Sequence, residues 1–172
     1  MAADLLVHRQ VYEFVEGVVV DYQLNRSDYQ VLEVGSLDVN GSIRNLLNQT
    51  NYIGLDLVAG PGVDLVGDIV TSHLPDQSFD LVLCLEVLEH APQAEQIVHT
   101  IHRVLKPEGL LILTCAATLR SPHSAYGGKL RPGEFYKNVD YEELESWCSR
   151  FELLHYVYEP GHKDLHLLAR RR

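Results

Sequence analysis

Acidic side chains recur in this chain where short apolar runs end. Glu33 closes the run Gln30–Gly35, Asp56 closes Tyr52–Asp56, Asp68 follows Val63–Val66 through Gly67, and Glu86 stands just past Phe79–Cys84. An isolated buried carboxylate is costly unless hydrogen-bond donors meet it. A nucleoside supplies such donors. Its two ribose hydroxyls can bridge to one carboxylate and its adenine amino group can donate to another. In an open α/β sheet, ligands bind outside the carboxyl ends of the strands, at the place where the strand order reverses.

The elements that must hold these acids in place follow from the apolar pattern. Residues 3–24 carry Leu5, Val11, Tyr12, Val15, Val18 and Val19 near helical spacing, which predicts an amphipathic helix leading into the polar connector Asn25–Asp28. Gln30–Gly35 reads as a strand buried on both faces of a parallel sheet. Ile43, Leu46 and Leu47 predict a helix over Asn40–Asn48; Tyr52–Asp56 and Val63–Val66 are the next two strands. The segment Val58–Gly62 between those strands is too short for a crossover helix, so a turn or short helical piece replaces it.

Phe79–Cys84 is the fourth strand, Pro92 suits the first turn of a helix, and Ile97, Val98, Ile101, Val104 and Leu105 form its stripe. Lys106–Gly109 stops that helix before a fifth strand at Leu110–Thr114. After the long polar-aromatic loop Ala116–Asn138, Asp140 and Glu143 stand as an N-cap and its N3 partner for a helix through Trp147. Strands Glu152–Tyr158 and Asp164–Ala169 flank a turn at Glu159-Pro160-Gly161. The fold predicted is α/β: a doubly wound, mostly parallel seven-stranded sheet with a C-terminal antiparallel hairpin, in three α/β/α layers. Residues 1–172 read as a single domain, with 1–24 an N-terminal helix and 116–139 a loop beside the site.

The net charge of −10 disfavours a polyphosphate partner such as nucleic acid. No apolar run approaches the roughly 20 residues that cross a bilayer, and Met1–Gly17 lacks the apolar core of a signal peptide, so a cytoplasmic location without membrane contact is expected. Cys84, Cys115 and Cys148 match no zinc spacing and cannot all pair within one chain, which predicts reduced thiols. His99 with His102, or His162 with His166, lacks a third ligand, so no metal is expected. A monomer and a homodimer through the N-terminal helix both fit.

Taken together, Glu33-x-Gly35, Asp56, Gly67-Asp68-Ile69, and Phe79-Asp80-Leu81-Val82 running into Glu86-Val87-Leu88-Glu89-His90 resemble the class I S-adenosylmethionine-dependent methyltransferases. Within them the chain is most similar to the small enzymes with the "EVLEH" signature, and Arg103–Gly109 resembles their "R-x-L-K-P-G-G" turn. The resemblance covers about residues 30–115 and implies a Rossmann-like fold with S-adenosyl-L-methionine as cofactor. It also implies roles. Gly35 lets the backbone approach the methionine end and Glu33 orders that loop; Asp56 takes the ribose hydroxyls, with Leu57 beside the adenine; Asp68 accepts from the adenine amino group and Ile69 covers the ring; the backbone of Cys84 and Leu85 faces the methionine amino group or sulfonium. The chain departs from the Glu/Asp-x-Gly-x-Gly-x-Gly pattern at Gly35-Ser36-Leu37-Asp38-Val39-Asn40-Gly41. Here Ser36 and Asp38 join the expected cofactor contacts, and Asp38 and Asn40 tolerate the turn's unusual backbone angles.

Methyl transfer needs an in-line nucleophile held in place, and a general base only where the acceptor must lose a proton. By the resemblance, Glu86, Glu89 and His90 lie beside the methyl group, and the long loop offers His123, Tyr126 and Tyr136 around a Gly127-Gly128 hinge. His90, Glu86, His123 and Tyr136 are the catalytic candidates. Plainer roles stay open: Glu86 at a helix dipole, His90 as a cap, Glu33 as a structural anchor, Asp56 and Asp68 as caps. Arg120, Lys129, Arg131 and Lys137 make the loop the basic part of an acidic chain and suggest an acceptor with a carboxylate or phosphate. The expected function is methyl transfer to a small-molecule or glycan-like acceptor, anionic ones included. The alternatives are a catalytically silent cofactor-binding module or regulatory partner, a protein or RNA methyltransferase, and a nicotinamide oxidoreductase, against which the missing G-x-G-x-x-G speaks.

Overall fold

The computed structural model describes residues 2–47, 51–159 and 163–172. The apolar runs become seven strands: β1 Val31–Val34, β2 Tyr52–Asp56, β3 Leu65–Val66, β4 Phe79–Leu85, β5 Leu105–Ala116, β6 Phe151–Glu159 and β7 Asp164–Arg171. They form one sheet in the order β3-β2-β1-β4-β5-β7-β6. β1 to β5 run parallel, and β7 enters antiparallel between β5 and β6. The chain therefore lays strands to one side of β1 first and to the other side afterwards. The strand order reverses between β1 and β4, which is where such a sheet opens a crevice at its carboxyl ends.

Alternation along the central strands sorts their side chains to two cores. Val31, Leu81, Leu83, Ile112 and Leu168 face α1 (Ala2–Asp21), packing on its Val11, Val15, Val18 and Val19. Leu32, Val34, Val82, Leu111 and Leu113 face the other way, onto α2 (Ala94–Val104) and α3 (Tyr141–Trp147) through Ile97, Ile101, Val104 and Leu144. Both faces of the sheet are thus covered, which is why its strands read as continuous apolar runs. Each fully buried aliphatic side chain contributes about 1.5–3 kcal/mol. The three cysteines are free and buried. Among the described residues, no helix is long and apolar enough to cross a membrane.

Five expectations need correction. The helix expected over Asn40–Asn48 is a single 3₁₀ turn, Arg44–Leu46; Asn48 lies outside the described residues. Gly41 has φ +118° and donates its N–H to Asp38 Oδ1 at 2.7 Å, while Arg44 N–H donates to Ser42 Oγ at 3.1 Å. Such side-chain bonds compete with helix formation, and the turn alone suffices to bury Ile43 and Leu47. β3 holds only Leu65–Val66, because Asp64 turns its carboxylate back to Gly54 N–H at 2.8 Å and to Arg44. α2 starts two residues beyond Pro92, with Gln93 as its N-cap.

β5 begins at Leu105 rather than Leu110. Lys106–Gly109 end the helix as expected but then join the strand across a shift in pairing opposite Phe79–Leu81. Glu108 takes φ +66° there, and a Cβ on Gly109 would fall 2.8 Å from the Lys106 carbonyl oxygen. The hairpin strands run longer than expected, and Pro160, Gly161 and His162 lie outside the described residues.

Candidate functional site

A cavity of about 350 Å³ opens at the carboxyl ends of β1, β2 and β4. Gly35, Asp56, Leu57, Asp68 and Ile69 line it, so five of the residues expected to hold the cofactor meet in one place. Protein donors fix the two carboxylates, two of them from the lining residues Leu37 and Gln93. Asp56 accepts from Leu37 N–H and from Val58 N–H, both at 3.1 Å. Asp68 accepts from Val70 N–H at 2.8 Å and from the Gln93 side-chain amide at 3.1 Å. A carboxylate oxygen accepts more than one hydrogen bond, so both acids keep capacity toward the cavity. The apolar groups Leu37, Val39, Leu55 and Ile97 complete this end. Two anchored acceptors flanking apolar walls fit a nucleoside, and the volume falls in the range of about 300–1,000 Å³ usual for small-molecule pockets.

The other five cofactor candidates do not line the cavity. Glu33 is buried beneath it and accepts a 2.8 Å hydrogen bond from the Tyr52 hydroxyl. Burial lifts its carboxyl to about 7, against the opposing pull of that hydroxyl. Ser36 is buried against β2, where a Cβ on Gly54 would sit 2.7 Å from its Oγ. Asp38 turns the loop through its bond to Gly41. Cys84 points into the core under α2, and Leu85 toward the α1 side. What joins β1 to its neighbours is backbone: Gly35 and Ser36 N–H both donate to the Leu55 carbonyl, at 2.9 and 3.2 Å.

On the far wall stand Glu86 and His90. Glu86 adopts φ +55°, a left-handed conformation uncommon for a non-glycine residue and enriched at functional positions. Among the described residues, its carboxylate oxygens and those of the fully buried Glu89 behind it meet no donor in good hydrogen-bonding geometry. Burial pushes both carboxyls up; Asp164 adds to the shift at Glu86, and Glu86 adds to it at Glu89. Burial and the neighbouring His123 lower His90 to about 4, so it is neutral at physiological pH. His123 and Tyr136 do not line the cavity. They form a ring cluster behind His90, with centroids 5.0 Å apart for His90–His123, 5.5 Å for His90–Tyr136 and 5.0 Å for His123–Tyr136. Glu89, His90 and His123 also bring one ligand atom each within 4.8 Å of one another, a grouping across the fold that helix and strand spacing did not signal. His102, by contrast, is a core histidine with its ring edge-on to Phe151.

The segment from β5 to α3 lies across the cavity and contributes Ala125, Tyr126, Glu134 and Phe135 to its wall. It is fastened at its base. Lys137 N–H donates to the Glu89 carbonyl at 2.8 Å, Val139 N–H to the Ala116 carbonyl at 2.9 Å, and Arg120 pairs with the fully buried Asp164. The basic residues of this loop are spent elsewhere: Arg120 on Asp164, Lys137 on Glu143 and Arg131 over the Tyr126 ring. Lys129 is exposed. Among the described residues, neither Lys nor Arg lines the cavity. Glu134 and Gln93 were not singled out from sequence, and no local pattern marks them; both act through neighbours more than 20 residues away or across a loop.

Residues 32–113 match the family model described as "Methyltransferase domain". This match supports a class I S-adenosylmethionine-dependent methyltransferase domain. S-adenosylmethionine is the cofactor of this domain. The chain is 40% identical over 118 residues to a ubiquinone biosynthesis O-methyltransferase of Klebsiella pneumoniae, covering 66% of this chain and 48% of that protein. It is 31% identical over 101 residues to a sterol 24-C-methyltransferase of Neurospora crassa, covering 59% of this chain and 22% of that protein. The chain thus spans about half the length, or less, of these relatives. In structure the methyltransferase domain resembles a protein of Pyrococcus horikoshii, with a TM-score of 0.71 at 17% identity over 96% of this chain and 91% of that one. A Burkholderia thailandensis 1,6-didemethyltoxoflavin-N1-methyltransferase solved with its substrate and S-adenosylhomocysteine gives 0.67 at 17% identity, over 99% and 82%.

The signature residues of the methyltransferase domain that lie outside the cavity have structural work. Asp80 accepts from Gln30 N–H at 2.8 Å and pairs with Lys106 at 2.7 Å, joining the starts of β1, β4 and β5. Arg103 donates to the Leu74 carbonyl at 2.7 Å and pairs with Asp76.

Proposed function

We propose that the chain catalyses methyl transfer from S-adenosylmethionine to a small-molecule acceptor. The observation that carries this reading is the pair Asp56 and Asp68, each anchored by protein donors and both lining one cavity at the strand-order reversal. Bound there, S-adenosylmethionine supplies an electrophilic methyl group on a sulfonium. Asp56 accepts the ribose hydroxyls, Asp68 accepts the adenine amino group, and Leu57 and Ile69 enclose the ring. Gly35 keeps the β1 end free of a side chain. The loop bearing Tyr126 and Phe135 restricts water and orients the acceptor, and orientation alone is worth about 7–11 kcal/mol of barrier.

Glu86 and neutral His90 are the groups on the far wall able to receive a proton from an acceptor hydroxyl or amine. Burial makes the Glu86 carboxylate the stronger base of the two. His123 and Tyr136 support the His90 ring from behind. The names of the relatives, a ubiquinone O-methyltransferase and a sterol C-methyltransferase, support a small acceptor, and a glycan-like one belongs to the same range. The anionic acceptor suggested by the basic loop loses its support, because those cations do not reach the cavity.

The altered glycine loop, with Ser36 packed on β2, favours a second reading as a module that binds the cofactor without turnover. Incubation with methyl-labelled S-adenosylmethionine and a fractionated cell extract separates the two. Label in the dialysable fraction supports the enzyme. Label only in protein or RNA contradicts the small acceptor, and cofactor binding with no label anywhere favours the silent module.

A further inference from the structure

The acceptor-side wall combines two carboxylates, a neutral imidazole and two aromatic rings; among the described residues neither Lys nor Arg lines it, and Arg120 and Arg131 act on Glu86 and Glu134 from outside it. This is a selective feature, since the chain holds 14 Lys and Arg in all and four of them lie in the very loop that forms the wall. An acceptor carboxylate brought here would meet the like charge of Glu134, which disfavours its binding.

Glu134 is built to stay ionised. Its Oε2 accepts from Arg131 N–H and its Oε1 from the Ser124 hydroxyl, both at 2.8 Å. The Arg131 N–H, more than any other contact, holds the carboxyl below its usual range. Its oxygens retain lone pairs. Beside it, Phe135 and Tyr126 line the cavity and are 41% and 46% exposed. An aromatic face attracts an ammonium group, and Arg131 already lies 5.5 Å over the Tyr126 ring. A carboxylate and ring faces, in a cavity that no described Lys or Arg lines, describe one kind of guest.

We propose that the acceptor is a small molecule carrying a protonated amine, held by Glu134 between the rings of Tyr126 and Phe135. This rests on the methyltransferase reading above and narrows its acceptor class.

The test uses two probes with the same phenol ring and opposite charges, tyramine and 4-hydroxyphenylacetate. Each is titrated into the full chain, with and without saturating S-adenosylhomocysteine. Tyramine is expected to bind saturably and about tenfold tighter than the carboxylate, and Glu134→Gln to weaken tyramine by about tenfold while leaving S-adenosylhomocysteine affinity within about twofold. Equal or tighter binding of 4-hydroxyphenylacetate overturns the proposal, as does the lack of saturable tyramine binding at millimolar concentration. A Glu134→Gln variant that loses S-adenosylhomocysteine but keeps tyramine also overturns it, because the carboxylate then serves the cofactor's own ammonium group. Failure of S-adenosylhomocysteine to bind the parent protein strikes the methyltransferase reading separately and is read in its own titration.

Discussion

The side-chain amide of Gln93 donates to Asp68 Oδ2 at 3.1 Å, tying the N-cap of α2 to the segment leaving β3. Asp68 is thereby held from two sides, by Val70 N–H and by an element that arrives 25 residues later in the chain. Replacing Gln93 by Ala frees one carboxylate oxygen to rotate. S-adenosylhomocysteine affinity is expected to fall about three- to tenfold in calorimetry, within the net worth of a typical hydrogen bond, with the thermal midpoint little changed.

Glu33 gives a pH signature. Burial lifts its carboxyl from 4.5 to about 7, so the folded protein keeps a proton that the unfolded chain has released. Its contribution to stability is fully present below about pH 4.5 and is lost as pH rises to about 7. Glu33→Gln keeps an oxygen for the Tyr52 hydroxyl and has nothing to ionise. Its stability relative to the parent is expected to climb across that window, by at most about 3 kcal/mol. Glu86 and Glu89 shift in the same direction, so urea denaturation of the variant against the parent, at several pH values, isolates Glu33. A flat difference contradicts its buried, proton-holding state.

Gly35 sits at φ +76°, and a Cβ there would meet Val87 Cγ2 at 2.3 Å. Val87 follows Glu86 in the segment that carries the far wall, so the clash would push the two sides of the cavity apart. Gly35→Ala is expected to cost about 1–3 kcal/mol of stability and to weaken S-adenosylhomocysteine strongly. Adding Val87→Ala is expected to restore part of the stability, because it removes the clash and leaves only the backbone strain. No recovery in the double variant would locate the whole cost in the backbone.

The sheet was legible in the sequence because a strand covered on both faces is mostly apolar, and Val31–Val34, Phe79–Leu85 and Leu110–Cys115 are apolar at all positions but Glu33, Asp80 and Thr114. The 40–48 segment was not. Ile43 and Leu47 satisfy a helical stripe and a single 3₁₀ turn equally well, and the decision fell to Asp38, Gly41 and Ser42, whose local hydrogen bonds have no period. In the site, Asp56 and Asp68 were legible because they sit at strand ends, where topology alone brings them together. Glu33, Ser36 and Asp38 stand in the same motif yet face β2 or their own turn, since the direction of a loop side chain depends on packing that spacing does not encode. The loop's positive charges misled for a related reason. A charge count gives no partners, and Arg120 and Lys137 are paired away from the cavity with acids on β7 and α3.

The most direct test of the account is the affinity of S-adenosylhomocysteine for the parent chain and for Asp56→Ala, measured by calorimetry. The account predicts saturable one-to-one binding by the parent and a loss of about tenfold or more in the variant, which forfeits charge-assisted hydrogen bonds to the ribose. A parent that does not bind this nucleoside, or a variant that binds it as tightly as the parent, would contradict it.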